Sequence, residues 1–420
     1  MRFFSPFMGN SFVRGNIAAY NRIITGGKSQ VKKFRAGIIG ATGTVGRRLA
    51  FLLENHPFFE VTALAASVKS AGKTYETALE EKRSGGYAAE VCRGGGNATG
   101  GEACGFFAKL PGDEPCPRSL AKTTVFDAEA DFKKIAAETD VVFCAVNAGK
   151  ETTKLLEERY ARAEIPVISN NSANRFTPDV PMIIPEVNPM QLDVIPFQKR
   201  RLGTKRGFIA TKSNCSVQTF APLLEPLRKY GLRAAAVCTY QAVSGAGKTL
   251  DTMPEIYDNV IPYIAGEEEK SEIEPLKIWG NISDGKIVPA AAPCITAQCV
   301  RVPVSDGHTA AVFISFENES RKPAAEDIIR EWENFRGEPQ RLHLPSAPER
   351  PIRYFYEADR PQPRRDRMTG NGMSVCAGRL RKDNVFDYKF ISLAHNSLRG
   401  AAGGSVLLAE LLAAKGYLDR

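Results

Sequence analysis

Histidine is scarce in this sequence, at four residues in 420, and tryptophan is scarcer, at two. Nine cysteines are scattered along the chain without a single C-x-x-C pair. Neither a zinc site nor a disulfide framework has its ligands, so no metal is expected and the cysteines read as reduced, mostly buried small hydrophobes. No stretch approaches the roughly 18 uninterrupted apolar residues of a membrane helix, and no internal repeat is visible. Acidic residues are missing from the first 53 positions, the first being Glu54. That absence decides how the net charge of +9 is read, because seven basic side chains (Arg2, Arg14, Arg22, Lys28, Lys32, Lys33 and Arg35) fall in residues 1–35. The remaining chain has an excess of only two positive charges, too nearly balanced for a nucleic-acid binder.

The acid-free N-terminus also carries Ser5, Ser11, Ser29 and several aromatics. Residues 1–33 therefore read as an extension with the composition of an organelle transit peptide rather than a secretory signal, the alternative being a solvated tail. Composition does not separate mitochondrion from plastid, and without such targeting the cytoplasm is the default.

Residues 34–39 form a short apolar run that leads into Gly40-Ala41-Thr42-Gly43-Thr44-Val45-Gly46. A helical pattern follows, with Val45, Leu49, Leu52 and Leu53 on one face, and then a second apolar run at 59–65. A G-x-x-G-x-x-G turn in this strand, helix, strand context lets the backbone approach a pyrophosphate at a helix N-terminus. After the second strand, where a carboxylate would meet the ribose of NAD, the chain reads Ala66-Ser67-Val68-Lys69-Ser70-Ala71-Gly72-Lys73. Ser67, Ser70 and Lys73 suit a 2′-phosphate, which favours NADP.

Residues 80–125, with Cys92, Cys104, Cys116 and the glycine cluster at 94–101, break the pattern and read as a surface insertion. The Asn97-Ala98-Thr99 sequon inside it is treated as chance. A buried strand at 140–146 ends at Asn147, beside the expected cofactor, and another follows at 167–169. His56, before Pro57, and His343 read as capping or surface residues, and the basic run around 199–206 as a solvated loop.

Lys212-Ser213-Asn214-Cys215-Ser216 carries the chemistry. Cys215 opens a helix that runs to Tyr230, kinked by Pro222 and Pro226 and ended by Gly231, so free N–H groups and the dipole are expected to lower the thiol pKa. Arg301 lies in a further strand pattern at 298–304, and His308, seven residues on, follows a turn and opens another at 309–316. An odd spacing would point them to opposite faces of one strand, so the Asp306-Gly307 turn is expected to bring both to one pocket. Thiol, imidazole and guanidinium together suggest acyl chemistry on an acidic substrate.

These pieces, with Tyr240-Gln241-Ala242-Val243-Ser244-Gly245-Ala246-Gly247, Glu267-Glu268-Glu269-Lys270, the run from Arg301 to His308, Asp359-Arg360-Pro361-Gln362-Pro363-Arg364 and Arg399-Gly400-Ala401-Ala402-Gly403-Gly404, resemble aspartate-β-semialdehyde dehydrogenases of the branch typical of archaea and fungi. The resemblance covers about residues 34–418 apart from the insertion. It implies an α/β fold, a Rossmann-type dinucleotide-binding domain plus an α+β catalytic and dimerisation domain. The expected limits are 34–212 with 396–420 for the first and 213–395 for the second.

The resemblance also implies roles. Cys215 would be the thioester nucleophile and His308 the acid/base, with Arg301, Gln241, Glu274 and Asn214 on the substrate. Arg301 would take its α-carboxylate and Glu274 its ammonium. Arg175 and Lys277 would bind phosphate. Gly40, Thr42, Gly43, Thr44, Val45, Gly46, Ser67, Ser70, Lys73, Asn147, Ser244, Gly245 and Asn396 would hold NADP. Glu274 and Lys277, three apart, fall on one helical face. The implied reaction is NADPH-dependent reductive dephosphorylation of L-aspartyl-4-phosphate to L-aspartate-4-semialdehyde, a step toward lysine, threonine and methionine, in a homodimer or homotetramer. Sister N-acetyl-glutamyl-phosphate or malonyl-CoA reductases are the alternatives, and their substrates lack the ammonium.

Overall fold

The structure is a computed structural model that describes residues 33–84 and 115–419. The expected transit peptide, the sequon, Cys92 and Cys104 lie outside the described residues. Seven strands, β1 (Phe34–Ile39), β2 (Phe59–Ala66), β3 (Phe126–Asp127), β4 (Val141–Cys144), β5 (Val167–Ser169), β6 (Met182–Ile183) and β7 (Ile209–Lys212), form one parallel sheet in the order β3-β2-β1-β4-β5-β7-β6. The chain runs one way from β1 to β3 and the other way from β4 onward. The carboxyl ends of β1 and β4 thus flank the topological switch point where open α/β sheets bind ligands.

Both faces are covered, which is why the strands read as unbroken apolar runs. Ile38 of β1 joins a core with Leu49, Phe143, Val406 and Leu408, beneath helices Thr44–Leu53 and Ala402–Ala414. Its neighbour Ile39 points the other way, toward Val142, Leu156 and Tyr160 beneath helix Lys150–Arg162. The last long helix of the chain therefore packs on the first sheet. His56 contributes to its seat: the ring is buried, not at the surface as its Asn-His-Pro setting suggests, with Nε2 2.9 Å from Glu410 Oε1 and Nδ1 accepting from the Phe58 N–H. The flank 115–125 is also integral, since Leu120 and Val125 are buried with Tyr75 and Leu79, and so does not belong to a surface insertion.

The second sheet is mixed. Its strands are β8 (Leu232–Gln241), β11 (Cys294–Arg301), β12 (His308–Phe316), β13 (Ile352–Phe355), β14 (Val375–Lys382) and β15 (Tyr388–Ala394), in the order β11-β8-β12-β15-β14-β13, and β9 (Asn281–Ser283) with β10 (Lys286–Val288) makes a separate ribbon. One face buries Val237, Val312 and Phe390 against Phe220, Leu224 and Trp332 of the helices Val217–Leu224 and Ala325–Asn334. The opposite face, with Ala236, Cys238, Tyr240, Ala311 and Phe313, is half open. A buried, two-pronged Arg399–Glu186 pair, 2.9 and 3.2 Å, ties the segment before the last helix to the loop after β6.

Candidate active site

The glycine turn fits a pyrophosphate on steric grounds. Gly40 has φ +93°, and a Cβ there would stand 2.5 Å from the Ala145 carbonyl oxygen; a Cβ on Gly46 would stand 2.1 Å from the Gly40 oxygen. Strand end, turn and helix therefore approach more closely than any side chain permits. On one side of the turn is a cleft of about 460 Å³ lined by Gly40, Thr42, Gly43, Ser67, Lys82 and Asn147. On the other is a cavity of about 190 Å³, into which Thr44, Val45, Cys215, Ser244, Gly245 and Asn396 face. A dinucleotide lying over the start of helix Thr44–Leu53 would reach both.

Of the residues expected at the 2′-phosphate, Ser67 lines the cleft, Ser70 is buried, and the Lys73 ammonium pairs with Glu81. The lysine that does line the cleft is Lys82, whose Nζ donates to the Thr42 carbonyl at 3.2 Å. It lay in the segment read from sequence as an insertion. Helix Tyr75–Ser84 instead carries it back toward the glycine turn.

Cys215 sits between β7 and helix Val217–Leu224, where Asn214 Oδ1 accepts from the Ser216 N–H (2.7 Å) and hydroxyl (2.6 Å) and so orders the turn. Glu225–Tyr230 continues as a 3₁₀ turn that ends at Gly231, φ +77°. Cys215 Sγ is 3.4 Å from His308 Nε2. His308 Nδ1 accepts the Ala242 N–H at 3.0 Å, which places the proton of the neutral ring on Nε2, facing the sulfur. Burial, with Arg301 and His395 nearby, holds the His308 pKa well below its ordinary value.

Arg301 and His308 do not form the two arms of a hairpin. Both strands pair with β8, which lies between them, Arg301 opposite Gln241 in the parallel pairing and Thr309 opposite Tyr240 in the antiparallel one. Residue Ala242, just beyond β8, then orients both: its N–H meets His308, and its carbonyl accepts from Arg301 NH1 at 2.7 Å. A Cβ on Gly245 would come within 2.9 Å of Arg301 NH1 and of His308 Cε1, so glycine is the residue that fits over them. Gly400 makes a similar approach, 2.7 Å from Cys215 Cβ.

Asn396 Nδ2 donates to Ser244 Oγ at 2.8 Å, and its Oδ1 accepts the Gly307 N–H at 2.8 Å. This joins the loop before β12 to the cavity wall.

One expectation about charge is overturned. The thiol is not depressed: burial raises the Cys215 pKa and Glu267 adds to the rise, while Lys212, Arg175 and Arg301 pull it down without cancelling them. Glu274 is fully buried, and its carboxylate accepts from Arg175 NH1 at 2.9 Å and from the Asn214 N–H at 2.6 Å. Lys277 is likewise occupied, donating to the carbonyls of Arg175 and Thr177.

The carboxylate that meets the Asn214 and Gln241 side chains is Glu267, two turns earlier on helix Glu267–Ile278. It accepts from Asn214 Nδ2 at 3.0 and 3.1 Å, Gln241 Nε2 at 3.3 Å and Lys270 at 2.9 Å. Burial works against its charge, but Lys270, Asn214 and Gln241 hold its pKa below the ordinary range. Sequence reasoning named the Glu267-Glu268-Glu269-Lys270 run without assigning it. Seven residues is two helical turns, so Glu267 and Glu274 share a face and periodicity alone does not rank them.

A nucleotide cleft that ends at a thiol–imidazole pair defines a nucleotide-dependent dehydrogenase with covalent acyl chemistry. The comparisons are more particular. Residues 35–93 and 99–195 match the semialdehyde dehydrogenase NAD-binding domain, and 224–399 match the semialdehyde dehydrogenase dimerisation domain. The chain is 40% identical to the aspartate-semialdehyde dehydrogenase of Methanothermobacter thermautotrophicus, over 90% of this chain and 98% of the relative. It is 37% identical to that of Aspergillus fumigatus, over 92% and 99%. The crystal structure of aspartate-semialdehyde dehydrogenase with NADP from Candida albicans superposes with a TM-score of 0.76 at 35% identity, over 92% of this chain and all of that one. The chain belongs to the semialdehyde dehydrogenase family.

Proposed function

We infer that this chain is an NADP-dependent aspartate-semialdehyde dehydrogenase of the aspartate pathway, interconverting L-aspartyl-4-phosphate and L-aspartate-4-semialdehyde. The observation that carries the chemistry is the Cys215–His308 pair, 3.4 Å apart at the wall of the cavity beyond the glycine turn. The Cys215 sulfur attacks the acyl carbon as the thiol proton passes to the departing phosphate: a C–S bond forms, the S–H bond breaks, and the C–O bond to phosphate breaks with its electron pair left on the phosphate oxygen, which takes the proton. Bound NADPH supplies the hydride that reduces the resulting thioester. The His308 Nε2–H faces the sulfur and the carbonyl oxygen attached to the reacting carbon, where negative charge develops in both steps. It steadies that charge, and the departing sulfur when the C–S bond breaks.

Arg301, buried and held by the Ala242 carbonyl, meets the α-carboxylate with its remaining donors. Glu267 replaces Glu274 as the group for the substrate ammonium. Gln241 and Asn214, both bonded to Glu267, orient the acyl group. Arg175, which lines the cavity, faces the phosphate. The half-open face of the mixed sheet, within the segment that matches a dimerisation domain, is the surface for a second copy of the chain.

The test is a steady-state assay of residues 34–420 with aspartate semialdehyde, phosphate and NADP or NAD. Phosphate-dependent reduction of NADP, preferred over NAD, is expected. Preference for an N-acylated semialdehyde, or activity that needs coenzyme A in place of phosphate, would transfer the assignment to a sister reductase.

A further inference from the structure

Lys212 is the last residue of β7, three before the nucleophile, and only 3% exposed. Its Nζ donates to the Ser213 carbonyl at 2.7 Å, and among the described residues no carboxylate lies in ion-pair range of it. A buried ammonium has three donors, so two are left over. Lys212 lines the same cavity as Arg175 and Cys215. Arg175 is also short of a partner there: NH1 is bound to Glu274, NH2 to the Asn170 carbonyl at 3.4 Å, and the buried Nε has none. Two cations that repel each other, both with open donors at one small cavity, leave a place for an anion with several acceptor oxygens.

We propose that Lys212 is a phosphate-binding residue of this enzyme, the ammonium that works with Arg175 to hold the phosphoryl group beside Cys215. The inference rests on the phosphate-dependent reaction proposed above. Arg175 is a single cation already shared with Glu274, and Lys277, expected from sequence to be the second, gives two of its three donors to backbone carbonyls and does not line the cavity. When the C–O bond of the acyl phosphate breaks, the electron pair moves to phosphate oxygen, and Lys212 is the charge placed to receive it without any bond to nitrogen being made. Burial and Arg175 lower the Lys212 pKa to about 7, so an arriving anion would also restore its full charge.

The experiment uses the enzyme with semialdehyde, NADP and inorganic phosphate. In Lys212→Met the KM for phosphate should rise about 10- to 100-fold, the loss expected for a charged hydrogen bond, with the KM values for NADP and semialdehyde little changed. Lys212→Arg should recover most of the loss. A second readout does not depend on turnover: phosphate should protect Cys215 from iodoacetamide in the parent and fail to do so in Lys212→Met. Thermal unfolding and NADP binding check the fold, and Lys212→Gln gives the same comparison if the methionine variant does not fold. An unchanged phosphate KM with intact protection overturns the proposal, as does slower alkylation without any change in phosphate KM, which would make Lys212 a partner of the thiolate. A parent enzyme that shows no phosphate dependence would instead overturn the reaction itself.

Discussion

The two sheets of this molecule bring different materials to one cavity. The parallel sheet contributes backbone: a turn that tolerates no Cβ at Gly40 or Gly46, and the free N–H groups of the helix that starts at Thr44. The second sheet, the Cys215 loop and the far side of the parallel sheet, where Lys212 ends β7 and Arg175 follows β5, contribute ionisable side chains. Cys215, His308, Arg301, Glu267, Lys212 and Arg175 crowd one region, and burial is the first cause of the pKa displacement of Cys215, His308, Arg301 and Lys212 away from the charged form. Binding a polyphosphate asks for shape and partial charges that cost the fold little. Breaking a carbon–oxygen bond asks for full charges in a medium of low dielectric, where they act strongly and are expensive to hold.

That contrast predicts where single substitutions act. Replacing Cys215 by Ser should lower kcat by at least about three orders of magnitude while leaving NADP binding intact, because a hydroxyl is a far poorer nucleophile at neutral pH. Fluorescence titration of NADP alongside steady-state rates checks both halves; a variant that turns over normally would end the thioester mechanism. Replacing His308 by Asn should cost about 10²- to 10⁴-fold in kcat. A change confined to KM would mean that the imidazole only positions substrate.

The two glutamates of helix Glu267–Ile278 divide the same way. Glu267→Gln should raise the KM for aspartate semialdehyde by roughly 10- to 100-fold and leave a deaminated analogue unaffected, since only the ammonium is lost as a partner. Glu274→Gln should act on the fold, because it leaves Arg175 buried without its counter-charge, a change of roughly 3–5 kcal/mol in unfolding free energy. Denaturant unfolding and substrate kinetics on both variants check the division. If Glu274→Gln proves stable and defective toward ammonium-bearing substrate only, the roles revert.

The thiol supplies a smaller effect. Its pKa is raised, so the thiolate fraction is low at neutral pH and alkylation by iodoacetamide should climb as pH passes above the ordinary thiol range. Glu267, the charge that most raises it, should on conversion to Gln lower the pKa and speed alkylation at pH 7 by roughly three- to tenfold. An unchanged rate profile would mean that burial alone sets the thiol.

What the sequence discloses follows the same divide. β1 (Phe34–Ile39) and β5 (Val167–Ser169) are legible because a fully covered parallel strand is a short apolar run between turn signals. The end of β11 is not: the alternating pattern suggests a strand through residue 304, but pairing with β8 stops at Arg301, and Pro303 has no N–H to extend it. Cys215, His308 and Arg301 are legible by residue type and polar setting. Their meeting across β8 is not, since it depends on which strand lies between them. His56 is misread because its partner, Glu410, lies 354 residues away. Lys212 has the look of any lysine at a strand end, and only burial without a counter-ion separates it from one.

The smallest expected effect tests whether the parallel sheet really binds by backbone and shape, with side chains only adjusting the choice of nucleotide. Lys73 and Lys82 are both carried by the segment after β2, but the Lys73 ammonium is paired with Glu81 and does not line the cleft, whereas Lys82 lines it with Ser67 and reaches back to the Thr42 carbonyl. A cation at the cleft mouth remains partly exposed, so its attraction for a 2′-phosphate is screened and is worth no more than about 1 kcal/mol. Lys82→Ala should therefore raise the KM for NADP only a few-fold, about fivefold by that measure, and leave the KM for NAD and kcat unchanged; Lys73→Ala should change neither. Competition by 2′-phosphorylated against unphosphorylated adenosine nucleotides isolates the contact from the chemistry. If Lys73→Ala weakens the phosphorylated nucleotide and Lys82→Ala does not, the Lys73–Glu81 pair opens on binding and the sequence-based choice of Lys73 is restored. If either variant loses a hundredfold or more in NADP affinity, the parallel sheet depends on a buried charge just as the catalytic sheet does, and the contrast between the two fails.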